Sequence, residues 1–340
     1  MTLRQWLVGL SLLIASALAA ACPICSGAAK QSPAQELIDL PRAVLAMPAG
    51  QQLRVLQVIK GEPPEGVLSE VLRRDATGAG QTLLLVRDDA WPMWVSLGAI
   101  DTRHAGLLRE RAVPRPAPAD PAAWRGRSNR ALPHLQSREP LLAEIAYAEC
   151  ASAPYAVLRA ARPQLDAKLL RRWVDDPQLQ ARWPLYLLLL GIACQAGDAA
   201  AIEARIDAAW RTHGVADLAS LLAADLELRG PQRVAWIEER YLRDPSRLMA
   251  EVQAALLALS VQAHAGGLIP RERVIEAYRV FMGKRKDLAG LVAPDLAAWQ
   301  HWEATPEFAA LLNSGVRQQF ASRQAIDAYL RQSPLTLKTD

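Results

Sequence analysis

The residues best suited to chemistry stand near the start of the chain. Cys22-Pro23-Ile24-Cys25 is a C-x-x-C pair followed by Ser26. Thiols at this spacing serve a redox couple, half of a zinc site, or haem attachment. A redox couple needs a strand before it and a helix after it, so that the helix N-terminus lowers the thiol pKa. Here an apolar leader precedes it instead. A zinc site needs two more ligands, and no second C-x-x-C or paired-histidine motif follows. Haem attachment needs a histidine where Ser26 stands. The spacing therefore points first to a structural disulfide or a lipid site at Cys22 and Cys25. Metal or thiol chemistry through the same two residues is the alternative.

The rest of the chain offers little reactive chemistry. It has no G-x-S-x-G, no H-E-x-x-H and no phosphate-binding glycine loop. His104, His134, His213, His264 and His301 are scattered, and His301, between Trp299 and Trp302, reads as a helix-end packing site. Cys150 and Cys194 fall on neighbouring predicted helices and read as buried thiols. Asp175-Asp176 and Glu238-Glu239 read as solvated helix faces, and the ten tryptophans mostly as core. The expectation is a protein that is not an enzyme and carries no cofactor.

Positioning begins with export. Arg4 supplies a positive charge, Trp6 to Leu18 is almost uninterruptedly apolar, and Ala17-Leu18-Ala19 and Ala19-Ala20-Ala21 offer small residues for cleavage. This is the layout of a secretory signal peptide over residues 1–21, too short for the ~20-residue span of a membrane helix. Lipoprotein processing would also cut before Cys22, although it prefers a larger aliphatic residue where Ala19 stands. The mature protein is expected in the periplasm or secreted, with membrane attachment only through a lipid on Cys22.

The chain has 340 residues, 39 Lys plus Arg against 35 Asp plus Glu, a net charge of +4 and 51% hydrophobic residues. That length allows about two domains, and the apolar content with 6% aromatic residues excludes a disordered chain. The charge is too weak to argue for nucleic acid, and four cysteines exclude a disulfide-built scaffold.

Residues 22–112 read as a small antiparallel β sandwich or barrel, OB-like. Candidate strands are Ala43 to Ala46, Leu53 to Lys60, Val67 to Leu72, Thr82 to Val86 and Met93 to Leu97, set off by Gly50, Gly61 to Pro64, Gly78, Gly80 and Asp88-Asp89. Residues 113–140 are rich in proline and arginine and read as a linker whose Arg125, Arg127 and Arg130 form a solvated basic surface or touch an anionic partner. Residues 141–335 read as an all-α array. Apolar stripes at spacings of three and four recur in helix pairs every ~35–40 residues, the period of HEAT-like solenoids.

Several landmarks resemble a family of uncharacterised exported bacterial proteins. They are Cys22-Pro23-Ile24-Cys25-Ser26, Arg54 to Gly61, Ala146 to Tyr155, the Leu185 to Cys194 run, and Asp287 to Trp302 with its Pro294 to Trp299 core. The resemblance implies HEAT-like helices in the second domain and brings no activity with it; Cys150 departs from the pattern. The first module also resembles netrin-like OB domains, which include tissue inhibitors of metalloproteases. The shared features are cysteines at the mature N-terminus and a strand closed by Lys60-Gly61. That resemblance implies an inhibitor whose Cys22 presents its amine and carbonyl to a protease zinc. The leading expectation is a non-catalytic interaction or scaffold protein of the cell envelope with a protein partner.

Overall fold

The computed structural model describes residues 24–25 and 32–335, apart from positions 63, 65, 70, 73–79, 92, 118, 119, 195, 196 and 265. The signal segment and Cys22 lie outside the described residues. The chain forms two compact units, Ala21–Ala161 and the helices within Arg162–Asp340.

The first unit opens with a short helix, α1 (Pro33–Asp39), capped by the Ser32 side chain with proline in its first turn. Six strand segments follow: β1 (Arg42–Ala49), β2 (Gln52–Lys60), β3 (Val67–Leu68), β4 (Val71–Leu72), β5 (Leu83–Arg87) and β6 (Trp94–Ala99). Their order across the sheet is β3-β2-β1-β5-β6-β4, antiparallel except for the β4–β6 pair. A tight hairpin joins β1 and β2, with Gly50 at φ +66° where the turn needs a positive φ. The expected third strand, Val67 to Leu72, is present as two pieces.

Those two pieces explain the shape of the sheet. β3 lies on one edge and β4 on the other, yet Leu68 and Val71 are separated by no more than about 11 Å of chain. The edges must therefore meet, and the sheet curls into a nearly closed barrel. Bulges bend the strands to allow it. The β1–β2 register skips Leu56 and Ile59, and the β5–β6 register skips Leu97. Inside lie Val44, Ala46, Leu53, Leu68, Leu83, Leu85 and Trp94. The Lys60 side chain at the end of β2 donates to the Ile38 carbonyl at 2.6 Å, capping the last turn of α1.

Residues 113–140 differ from the expected linker. After α2 (Ala105–Arg111), the chain forms α3 (Pro121–Ala131), with Asp120 as N-cap and Pro121 in the first turn. Helices α4 (Pro140–Ser152) and α5 (Tyr155–Ala160) complete the unit. The division between units thus falls at 161/162 rather than at 140/141.

The second unit is helical throughout its described residues: α6 (Ala167–Asp175), α7 (Trp183–Ala193), α8 (Asp198–Thr212), α9 (Leu218–Arg229), α10 (Arg233–Ile237), α11 (Met249–Ala263), α12 (Arg271–Lys284), α13 (Ala293–Ala298), α14 (Thr305–Asn313) and α15 (Phe320–Gln332). Helix α10 runs on into a wide π turn, Glu238–Leu242. Helix α9 packs between α7 and α11. Helix α7 is apolar on every face because every face is covered, and Leu185 to Ile192 are all buried. A Cβ on Gly191 would lie 2.6 Å from the Ala224 Cα, so the glycine sets the approach of α7 to α9. Among the described residues, no helix is long and apolar enough to cross a membrane.

Candidate functional site

A cleft of about 740 Å³ lies in the first unit. Its floor is the end of β6 and its exit, Leu97 to Thr102, with Gln81 and Thr82 leading into β5 and Arg138 to Leu141 and Glu144 from the start of α4. The groups around it are set by helix ends. Asp101 caps the short turn Thr102–His104 by accepting from the Arg103 amide at 2.8 Å. Glu139 precedes Pro140 at the start of α4, where a negative charge suits the helix dipole.

Glu139 collects donors from the opposite wall. The Asp101 amide donates to its Oε2 at 2.9 Å and Arg103 Nη2 to its Oε1 at 2.7 Å, while His104 Nε2 lies 3.1 Å from Oε1. Burial pushes this carboxyl up, but the Asp101 amide, Arg103 and His104 outweigh it and hold Glu139 below the usual carboxylate range. The His134 ring meets His104 edge-on with centroids 5.8 Å apart. Burial, then His104 and Arg111, push His134 down. The cleft thus holds a fixed anion in Glu139, while His134, biased to neutrality, packs on His104 outside its lining.

The same unit holds a buried ionic cluster. Glu149 of α4 is 1% exposed and is met by Arg111 Nη1 at 3.0 Å, by Arg127 Nε and by Arg115 Nε at 3.4 Å. Arg111 also donates to the Arg127 carbonyl at 2.7 Å, and Arg127 to the Arg111 carbonyl at 3.2 Å, so α2 and α3 are cross-tied. Burial pushes Arg111 and Arg115 below the ordinary arginine value, with Glu149 opposing. Arg127 is therefore not the solvated or partner-facing arginine expected from the sequence. Arg130 reaches the surface and pairs with Glu110 at 2.7 Å.

Of the C-x-x-C pair, Cys25 is buried at 2% exposure, and Cys22 lies outside the described residues. Cys150 is fully buried, and burial, then Glu149, push its thiol up to about 12, which leaves it inert as a nucleophile. Cys194 is half-buried, and burial raises its thiol too. Among the described residues no group of three or more His, Cys, Asp or Glu side chains is placed to hold a metal ion.

Two other expectations change in the helical unit. Glu238 is buried, not solvated, and pairs with Arg273 at 2.6 Å. Trp210 and Trp236 are not plain core. They alternate with arginines in a stack, with guanidinium-to-ring distances of 3.6 Å for Arg233 on Trp236, 4.7 and 4.5 Å for Arg240 on Trp236 and Trp210, and 4.6 Å for Arg247 on Trp210. The π turn carries Arg240 into the gap between the two rings. The His301 carbonyl accepts from the Tyr329 hydroxyl.

Glu139 and Glu149 were not singled out from the sequence, although signals for both exist. Glu139-Pro140 is an N-cap followed by a first-turn proline. Glu149 has Ile145, Ala146, Ser152 and Ala153 at its helical neighbour positions, so no partner on its own helix can neutralise it. No family model, curated protein or solved structure matches this chain.

Proposed function

We propose that the chain is an exported, non-catalytic binding protein of the cell envelope, and that the cleft beside β6 receives a segment of a partner protein. We assign the barrel to the OB type. With β3 and β4 counted as one closing strand, each strand has two neighbours and the single parallel pairing joins the third strand to the fifth. We assign the helical unit to the HEAT-like arrays, because α7, α9 and α11, starting at residues 183, 218 and 249, stack as successive inner helices.

The observation that carries the reading is the cleft itself. Its volume of about 740 Å³ suits a ligand segment, and its rim mixes backbone groups with charges of both signs at Asp101, Glu144 and Arg138. Glu139 is tied to three donors and stays charged near neutrality, which suits recognition better than proton transfer.

A photo-crosslinking residue in place of exposed Gln81 tests this in the intact protein in its own cell envelope, with exposed Gln52 on the β1–β2 hairpin as control. A discrete adduct is expected from position 81, none from position 52, and loss of the adduct when Thr102→Trp fills the cleft. Equal adducts at both positions, no adduct at 81, or an adduct that survives Thr102→Trp would overturn the reading.

A further inference from the structure

A smaller pocket, of about 230 Å³, sits in the second unit where α8 turns into α9. The turn is made by His213 in the left-handed region at φ 53°, with the Gly214 amide donating to the Ala209 carbonyl at 2.8 Å. Leu187 of α7, Ala208 of α8, and Leu218 and Leu221 of α9 form apolar walls. Two charged side chains reach the pocket, Arg205 and Asp217, and their situations differ.

Arg205 already has partners through one nitrogen. Its Nη2 donates to the Val174 carbonyl at 2.9 Å and to Asp175 Oδ1 at 2.6 Å, and its guanidinium lies 5.4 Å from the Trp183 ring centroid. Asp217 is half-buried at the N-cap of α9, yet its side chain does not cap the helix, and among the described residues it has no hydrogen bond or ion pair. Burial pushes the Asp217 carboxyl up, with the field of Arg205 opposing. Among the described residues the pocket thus holds a carboxylate with no hydrogen bond or ion pair, while Arg205, which also lines it, is already paired with Asp175.

We propose that this pocket binds a small primary ammonium with a short apolar tail, its cation on Asp217 and its tail against Leu187, Leu218 and Leu221. A hard divalent cation is a poor fit, since it demands about six oxygen ligands and the walls are hydrocarbon. A zwitterion gains little, because Arg205 already has its carboxylate.

Saturation-transfer NMR of n-butylammonium with the full chain tests it, against 1-butanol as the uncharged analogue. Millimolar binding of the ammonium is expected, with the alcohol and the Asp217→Asn protein each weaker by roughly tenfold, the worth of one charge-assisted hydrogen bond. Ala208→Leu, at an exposed helical position, is expected to abolish binding while circular dichroism and melting temperature stay unchanged. Equal binding of alcohol and ammonium, undiminished binding by Asp217→Asn or by a folded Ala208→Leu protein, or no millimolar binding at all overturns the proposal.

Discussion

A carboxylate removed from water costs several kcal/mol unless cations and donors replace the lost hydration. Glu149 meets that requirement with Arg111, Arg115 and Arg127, and Arg111 and Arg127 also bond each other's backbone carbonyls across α2 and α3. Removing the single anion from such a cluster leaves three guanidiniums facing one another, two of them almost without solvent. Glu149→Gln is therefore expected to cost about 3–5 kcal/mol in urea unfolding, a large share of the ~5–15 kcal/mol of a typical domain. Arg115→Gln is expected to cost clearly less, because Arg115 keeps 17% of its side chain in solvent. Equal costs for the two variants would mean that the cluster is not centred on Glu149. At this scale the sequence was only half legible. Arg127 carried the correct charge but the wrong setting, because its partner lies 22 residues away and no local spacing marks the pair.

Elements were most legible where burial follows a simple period. Strands β1, β2, β5 and β6 fall on the expected apolar runs, and α4, α9, α11 and α12 on the expected stripes, since most of their buried positions are hydrocarbon. Helix α3 was illegible for the opposite reason. Its buried positions are Trp124, Arg127, Ser128 and Ala131, so half of the inward face is polar and the period vanishes. The stacked arginines and tryptophans hide in the same way, because each ring meets a cation from another part of the chain. Glu251 anchors one end of that stack. It accepts from Arg247 Nη1 at 3.1 Å and from the Leu248 amide at 2.9 Å, and its Oε2 lies 3.0 Å from His213 Nδ1. Burial pushes Glu251 up, but His213, the Leu248 amide and Arg247 outweigh it and leave the carboxyl below its ordinary value. A carboxyl with a depressed folded pKa contributes stability that is present above its unfolded value, about 4.3, and lost as pH falls through the folded value. Glu251→Gln is expected to lower the urea midpoint at neutral pH, with the gap to the parent protein closing on acidification below pH ~4. A gap that stays constant across that range would show that packing, not charge, is what the substitution removes.

The whole molecule was legible as a β module followed by helices, but its division was not. Proline and arginine content marks 113–140 as a linker only if the arginines are solvated, and Arg127 is not. The helix carrying Glu149 instead closes the ionic cluster of the barrel unit, so α4 belongs with the strands. Two truncations separate these readings. Residues 22–161 contain the barrel core, the cross-tied helices and both partners of every buried ion pair around Glu149. A chain of this size also buries enough surface to fold alone. It is expected to unfold cooperatively in urea and to keep a near-ultraviolet dichroism spectrum. Residues 22–140 keep all the strands but lose Glu149, leaving Arg111 and Arg127 buried without their carboxylate. That shorter fragment is expected to lack fixed tertiary packing, to bind hydrophobic dye and to unfold without a sharp midpoint. If it folds as well as the longer one, the ionic cluster is dispensable and the boundary at 140/141 is restored.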